Sequence, residues 1–328
     1  MINFFLFEVL FLFVVQENFS LRSTFSKFAI LSFGIVLVIC ATFRSPLMDD
    51  YANYLLFYNN MGEDRFEKTA YLFRRISPSF YIFLFLYAFI GINVKLLAIR
   101  EISNFKFYSL ITYISTSFVL HDMIQIRVSC AIALFLYALK FLIRKDRIRY
   151  ILFILIASLF HISALVFSVF VFLNGNRIRK WVWLFFIVLS YCLAFSNLDL
   201  LSLLSRYNGN AYYIVTVISH SGSKANYLNI NQLLRILVFV ILLFYLKKDD
   251  YKNILLLKIF AISIIILPLF CTVPVIAYRI SEMIGTVIIF LLPELIDSFK
   301  KKEIGFELFI VINMMLFYLN NIHNGKLL

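Results

Sequence analysis

The sequence predicts an all-α fold: a polytopic transmembrane helical bundle of about 10–12 membrane helices, including a re-entrant hairpin, in one integral membrane domain over residues 1–328. Three observations carry this expectation. The chain is 62% hydrophobic and only 15% charged, with a mean hydropathy of +0.91, more apolar surface than a soluble domain of 328 residues can bury. Apolar runs near the ~20-residue length of a membrane helix recur from end to end. The lysines and arginines collect in short clusters between those runs, as cytoplasmic loops do under the positive-inside rule. The net charge of +13 therefore reads as topology, and no basic face suited to nucleic acid is formed.

In chain order, spans are expected at residues 2–16, 27–43, 78–93, 107–121, 124–143, 181–197, 231–247, 253–270, 278–297 and 305–320. The first lacks a basic leader and a small-residue cleavage site, so it reads as a retained span. The clusters RKDRIR (144–149), KKDDYK (247–252) and FKKKE (299–303), together with Arg22, Lys27, Lys95, Arg100 and Lys106, mark the cytoplasmic side. Two longer polar stretches, residues 44–77 and 198–230, then lie outside, and YANYLLFYNN in the first has the pattern of an interfacial helix. Residues 150–173 are flanked by basic clusters at both ends, RKDRIR and NGNRIRK. One full span would strand one cluster outside, whereas a re-entrant hairpin with its tip near Phe160, His161 and Ile162 keeps both inside.

With this threading Arg44, Arg127, Arg235 and Arg279 break the positive-inside pattern in one direction, toward the outer side. An ionisable group at such depth is costly and marks a candidate site, against the alternatives of snorkelling or an Arg279–Glu282 pair; for Arg235 alone the structural role is favoured. Arginine grips phosphate through two parallel hydrogen bonds and stays protonated, and Arg127 opens a helix whose N-terminus adds positive potential. His161, within LFHISALVF, is the histidine placed to take a proton near neutral pH. His121, His220 and His323 fall in loops or at span ends. No histidines share a helix at metal-ligand spacing, and Cys40, Cys130, Cys192 and Cys271 are isolated. Asp49 and Asp50, with Tyr51 and Tyr54, are candidates for binding sugar hydroxyls or supplying a base; Asp50 is also placed to cap the helix that follows.

Four stretches together resemble the EpsG family, the Wzy-like polymerases of O-antigen and exopolysaccharide synthesis: FRSPLMDDYANYLLFYN, MIQIRVSCAIALFLYAL, ASLFHISALVF and AYRISEMIGTVIIFLLPEL. Where the family carries glutamine just after the arginine of the second stretch, this chain has Val128, with Gln125 on the other side. The resemblance implies a multi-pass inner-membrane glycosyltransferase that joins undecaprenyl-pyrophosphate-linked oligosaccharide repeats on the periplasmic side. It implies no metal or nucleotide-sugar cofactor, and as partners the lipid-linked oligosaccharide, membrane lipid and a chain-length regulator protein. On that reading His161, then Asp49 or Asp50, supplies the base. Arg44, Arg127 and Arg279 clamp the pyrophosphate, and Tyr54, Tyr278 and Arg235 contact pyrophosphate or glycan. A transporter of the lipid-linked oligosaccharide, or a membrane ligase or acyltransferase acting on it, is the alternative.

Overall fold

The computed structural model describes residues 23–59, 67–196, 224–246 and 250–323, with side chains between residues 30 and 321. The expected span at 2–16, Arg22, residues 198–223 of the second outer loop with His220, and the side chains of Lys27 and His323 lie outside the described residues. Among the described residues there is no strand. In order run α1 (Ser23–Thr42), α2 (Tyr51–Tyr58), α3 (Lys68–Ile76), α4 (Phe80–Ile102), α5 (Lys106–Tyr113) with a π-helical continuation (Ile114–Ile124), and α6 (Ile126–Ile143). Then follow α7 (Arg147–Phe160), a 3-10 helix (Ile162–Phe172), α8 (Lys180–Phe195), α9 (Ile230–Tyr245), α10 (Tyr251–Leu269), α11 (Pro274–Gly285) with a broken continuation to Ser298, and α12 (Lys302–Phe317). Among the described residues five stretches are long and apolar enough to cross a membrane: Phe80–Ile102, Ile126–Ile143, Tyr251–Leu269, Pro274–Ser298 and Lys302–Asn321.

The starts of these helices are written locally. Ser79, after Pro78, caps α4 by accepting from the Ile82 amide; Asp146, Asn229 and Asp250 do the same for α7, α9 and α10. Pro274 opens α11 at a position where its missing N–H is no loss. The most apolar window of α6 is 78% buried, against 39% for the last span, so α6 forms the centre of the bundle.

Residues 150–173 fold back on themselves. The Tyr150 hydroxyl donates to the Phe167 carbonyl at 2.7 Å. A continuous helix would hold those residues about 25 Å apart, at ~1.5 Å per residue. The turn is made at His161, whose backbone is extended (φ −157°, ψ 123°). Phe135 of α6 stacks on Phe167 with ring centroids 3.8 Å apart and locks the returning arm to the bundle centre. Both basic flanks thereby reach one end. Lys145 lies 5.1 Å from the Tyr251 ring, and Lys258 donates to the Asn174 carbonyl at 2.7 Å. Lys252 meets Glu294 at 3.3 Å there, and Tyr245 stacks on Phe299.

Two expectations, those for Lys95 and Asp50, need correction, and two others need refining. Lys95 is no loop cation: α4 continues past residue 93 to Ile102, and Lys95 sits fully buried against Asp122, where a carboxylate from the neighbouring segment compensates its charge. The span expected at 278–297 lies within the candidate span Pro274–Ser298, but its helix is interrupted after Gly285 and resumes in short helical pieces. His121 does fall at a span end, in the last turn of the π-helical segment, but it is buried there, 2% exposed. Asp50 precedes α2 as anticipated, but in a left-handed conformation (φ 62°) without a side-chain cap, its carboxylate instead accepting from Asn53 at 3.1 Å.

Candidate functional site

The end opposite the basic clusters is where the backbone is least regular. The π-helical segment closes with a Gln125 N–H to Leu120 carbonyl bond of 2.9 Å, and α6 starts at once with Arg127 on its first turn. Two short helices cap this end. α3 docks on the hairpin tip, Thr69 Oγ1 donating to the Leu159 carbonyl at 2.7 Å. α2 is held by the Tyr58 hydroxyl on the Ser77 carbonyl at 2.9 Å and by Phe57 against Phe83.

Just past the end of α1 the chain turns Arg44 inward, leaving it 4% exposed. Its Nη1 donates to the carbonyls of Met123 at 2.7 Å and Asp122 at 3.5 Å, at the end of the π-helical segment. Its Nε and Nη2 are buried and find no hydrogen-bond acceptor among the described residues. Burial pulls this guanidinium down to about 10, which leaves it charged at neutral pH. Beside it is Tyr54 of α2, with the Arg44 guanidinium 5.9 Å from the ring centroid and that of Arg127 also 5.9 Å away. Burial pushes the Tyr54 hydroxyl up, and the charge of Arg127 draws it partly back.

Arg127 is ion-paired with Glu67, which immediately precedes α3. The second Glu67 oxygen faces His161 Nε2 at 4.0 Å. The other ring nitrogen, Nδ1, accepts from the Ser163 amide at 3.2 Å and so caps the 3-10 helix. Because an amide N–H can only donate, Nδ1 presents its lone pair, and the neutral ring carries its proton on Nε2, toward Glu67. Arg279 of α11 stands, with Arg127, within electrostatic range of His161.

Below this group lies a closed charged knot. Lys95 Nζ reaches both Asp122 oxygens at 2.8 and 2.7 Å and Ser129 Oγ at 2.7 Å. Tyr113 donates to Asp122 at 2.6 Å, and Ser129 does so as well. Gly91 makes room for it: a Cβ there would lie 2.8 Å from Ser129 Oγ. The knot fixes the Asp122 and Met123 carbonyls that hold Arg44.

Alongside is a cavity of about 580 Å³, lined by Asn226, Asn231, Gln232, Arg235, Tyr278 and Glu282, with His121 at its wall. Arg235 is tied into the protein through Ser263 Oγ at 2.7 Å and Ser281 at 3.0 Å, and it feels the charge of Glu282. Tyr278 accepts from the Asn226 amide at 2.7 Å. α11 thus presents Tyr278 to the cavity, and the charge of the next residue, Arg279, is felt at His161. Among the described residues no three His, Cys, Asp or Glu side chains converge at metal-ligating distance.

Of the residues singled out from sequence, Arg44, Tyr54, Arg127, His161 and Arg279 come together, and Arg235 and Tyr278 join the neighbouring cavity. Asp49 and Asp50 are exposed on the turn before α2. Glu67 and the Lys95–Asp122 pair had not been anticipated. Glu67 has no local signal in the mixed-charge run EDRFEK, whereas Asp122 is the one carboxylate in the apolar stretch 107–143, and a lysine inside the adjacent run was its natural complement.

No curated protein and no solved structure matches the chain. The model of the EpsG family matches residues 27–327, a stretch that contains every residue of the site just described. On that match, joined to five stretches of membrane-spanning length and composition among the described residues, the chain is a multi-pass membrane protein belonging to the EpsG family.

Proposed function

We propose that this protein is a polysaccharide polymerase of the Wzy-like kind, a glycosyltransferase that joins undecaprenyl-pyrophosphate-linked oligosaccharide repeats at the outer face of a bacterial inner membrane. The observation that carries this reading is Arg44, a buried guanidinium with two donors left unsatisfied among the described residues and a second guanidinium across the Tyr54 ring. Buried donors are nearly always paired, so such a group is built for an anion that arrives. A pyrophosphate on a polyprenyl chain would approach from the bilayer with its oxygens at this depth. Arg44, Arg127 and Arg279 would hold it and take up the charge that develops as it leaves. The adjacent cavity, walled by amides, Tyr278 and Glu282, suits a glycan, which binds through hydroxyls and an aromatic face together. The acceptor hydroxyl attacks the anomeric carbon, and the base comes from the His161–Glu67 pair. Holding two lipid-tethered substrates in register supplies further rate.

A transporter of the same lipid-linked glycan would spread cations along a path from both faces. Here the arginines gather at one end, while Lys95 is closed by Asp122. The test is the glycan profile of a strain lacking the gene. A polymerase leaves single capped repeats and no long chains, and the missing ladder returns on complementation. Loss of all surface glycan would instead indicate export or ligation and overturn the proposal.

A further inference from the structure

Resting on the polymerase reading, we propose that Glu67 is the general base of the transfer, with His161 a hydrogen-bond donor that positions the acceptor hydroxyl. The geometry assigns the roles. His161 Nδ1 is occupied by the Ser163 amide, so the nitrogen that faces the site, Nε2, carries a proton and has no lone pair to offer. Nε2 and Glu67 Oε1 are 4.0 Å apart, too far to bond each other directly. A single hydroxyl oxygen can sit at about 2.8 Å from both, the ordinary hydrogen-bond length. It would accept from His161 Nε2–H, donate its own proton to Glu67 Oε1, and keep one lone pair for the anomeric carbon. The other Glu67 oxygen is anchored on Arg127, a candidate clamp residue, so the base is tied to the place where the pyrophosphate sits. Asp49 and Asp50 lack such placement, being exposed, with Asp50 engaged by Asn53.

The step balances. The acceptor oxygen forms a bond to the anomeric carbon of the donor repeat as the bond from that carbon to the pyrophosphate oxygen breaks. The electron pair leaves with undecaprenyl pyrophosphate, and the hydroxyl proton passes to Glu67 and on to solvent. A carboxylate serving as base toward an attacking oxygen in glycosyl chemistry is well precedented.

The experiment uses the full chain in lipid nanodiscs and the undecaprenyl-pyrophosphate-linked repeat extracted from cells lacking the gene. Glu67→Gln keeps the shape and a hydrogen bond to Arg127 but cannot take a proton. Its turnover should fall by on the order of 10²–10⁴, the usual contribution of acid–base catalysis, with the donor KM within about threefold of wild type. Glu67→Asp should recover part of the turnover, which shows that the site is assembled. His161→Gln retains a donor N–H and should stay within about tenfold of wild type. The assignment is overturned if Glu67→Gln polymerises at near wild-type turnover, if its loss appears in KM instead, or if His161→Gln loses as much turnover as Glu67→Gln. A wild-type chain that forms no ladder overturns the polymerase reading itself, a result distinct from a wild-type ladder that Glu67→Gln preserves.

Discussion

The knot beneath the site makes a quantitative test of what holds this bundle together. Lys95 and Asp122 are both fully buried, 2.7 Å apart, and the Asp122 carboxylate also takes hydrogen bonds from Tyr113 and Ser129. Lys95→Met leaves that carboxylate without a counter-charge, and Asp122→Asn leaves the ammonium without one. Removing one partner of a buried pair costs about 3–5 kcal/mol, so the two single losses sum to roughly 6–10 kcal/mol. The double variant Lys95→Met/Asp122→Asn buries no net charge, and the amide that replaces the carboxylate still offers an oxygen to Tyr113 or Ser129. It should cost only about 1–3 kcal/mol, the scale of imperfectly satisfied polar groups. The cycle therefore predicts a coupling of about 3 kcal/mol or more in favour of the pair, the difference between those two ranges. Equilibrium unfolding of the four proteins in mixed detergent–lipid micelles at neutral pH measures it. Additivity within about 0.5 kcal/mol, the behaviour of independent sites, would refute a buried ion pair here. Because the Asp122 and Met123 carbonyls hold Arg44, the single variants should also raise the donor KM more than the double one.

Replacing Arg127 or Arg279 by lysine keeps the charge but loses the planar fork, and turnover at matched abundance should drop roughly ten- to hundredfold, the equivalent of about 1.5–3 kcal/mol, with alanine worse; full activity in both lysine variants would remove the clamp. Arg235→Lys, at a residue already tied to Ser263 and Ser281, should be milder in the same ladder assay. In a background without native cysteines, a cysteine at Ile162 should react with an impermeant thiol reagent from the periplasm, while cysteines near Arg147 and Arg179 should react only from the cytoplasm; labelling of those two loops from opposite sides would refute the hairpin orientation.

Much of the architecture was legible because membranes leave few choices. Apolar runs of span length had to be helices, and α6, α9 and α10 begin within about two residues of where the pattern put them. The hairpin at 150–173 was legible from charge alone, since two basic flanks need one side. What the pattern concealed was irregular backbone. The π-helical continuation of α5 and the break after Gly285 leave hydropathy unchanged, because their side chains stay buried. The arginines of the site could be read as violations of a rule. Glu67 could not, because it violates none: an acidic residue in an outer loop is ordinary until folding sets it against Arg127 and His161. His121 was passed over because its position at a span end was legible while its burial there was not.

Two buried cations at this end of the bundle, Lys95 and Arg44, are treated in opposite ways. Lys95 is neutralised: a carboxylate, a tyrosine hydroxyl and a serine form a closed set around it, and nothing in that set needs a ligand. Arg44, close enough to share the Asp122 backbone, donates only to neutral carbonyls among the described residues, where two further donors are buried and unsatisfied. If its purpose were to anchor α1, the fold had a carboxylate at hand and gave it to the lysine. Non-helical backbone at membrane depth is tolerated where it is buried in protein or lines a watered cavity, and here the turn at Asp50 and the junction at Gln125 fall around this guanidinium. The structure thus separates a charge neutralised inside the bundle from one whose Nε and Nη2 find no acceptor among the described residues.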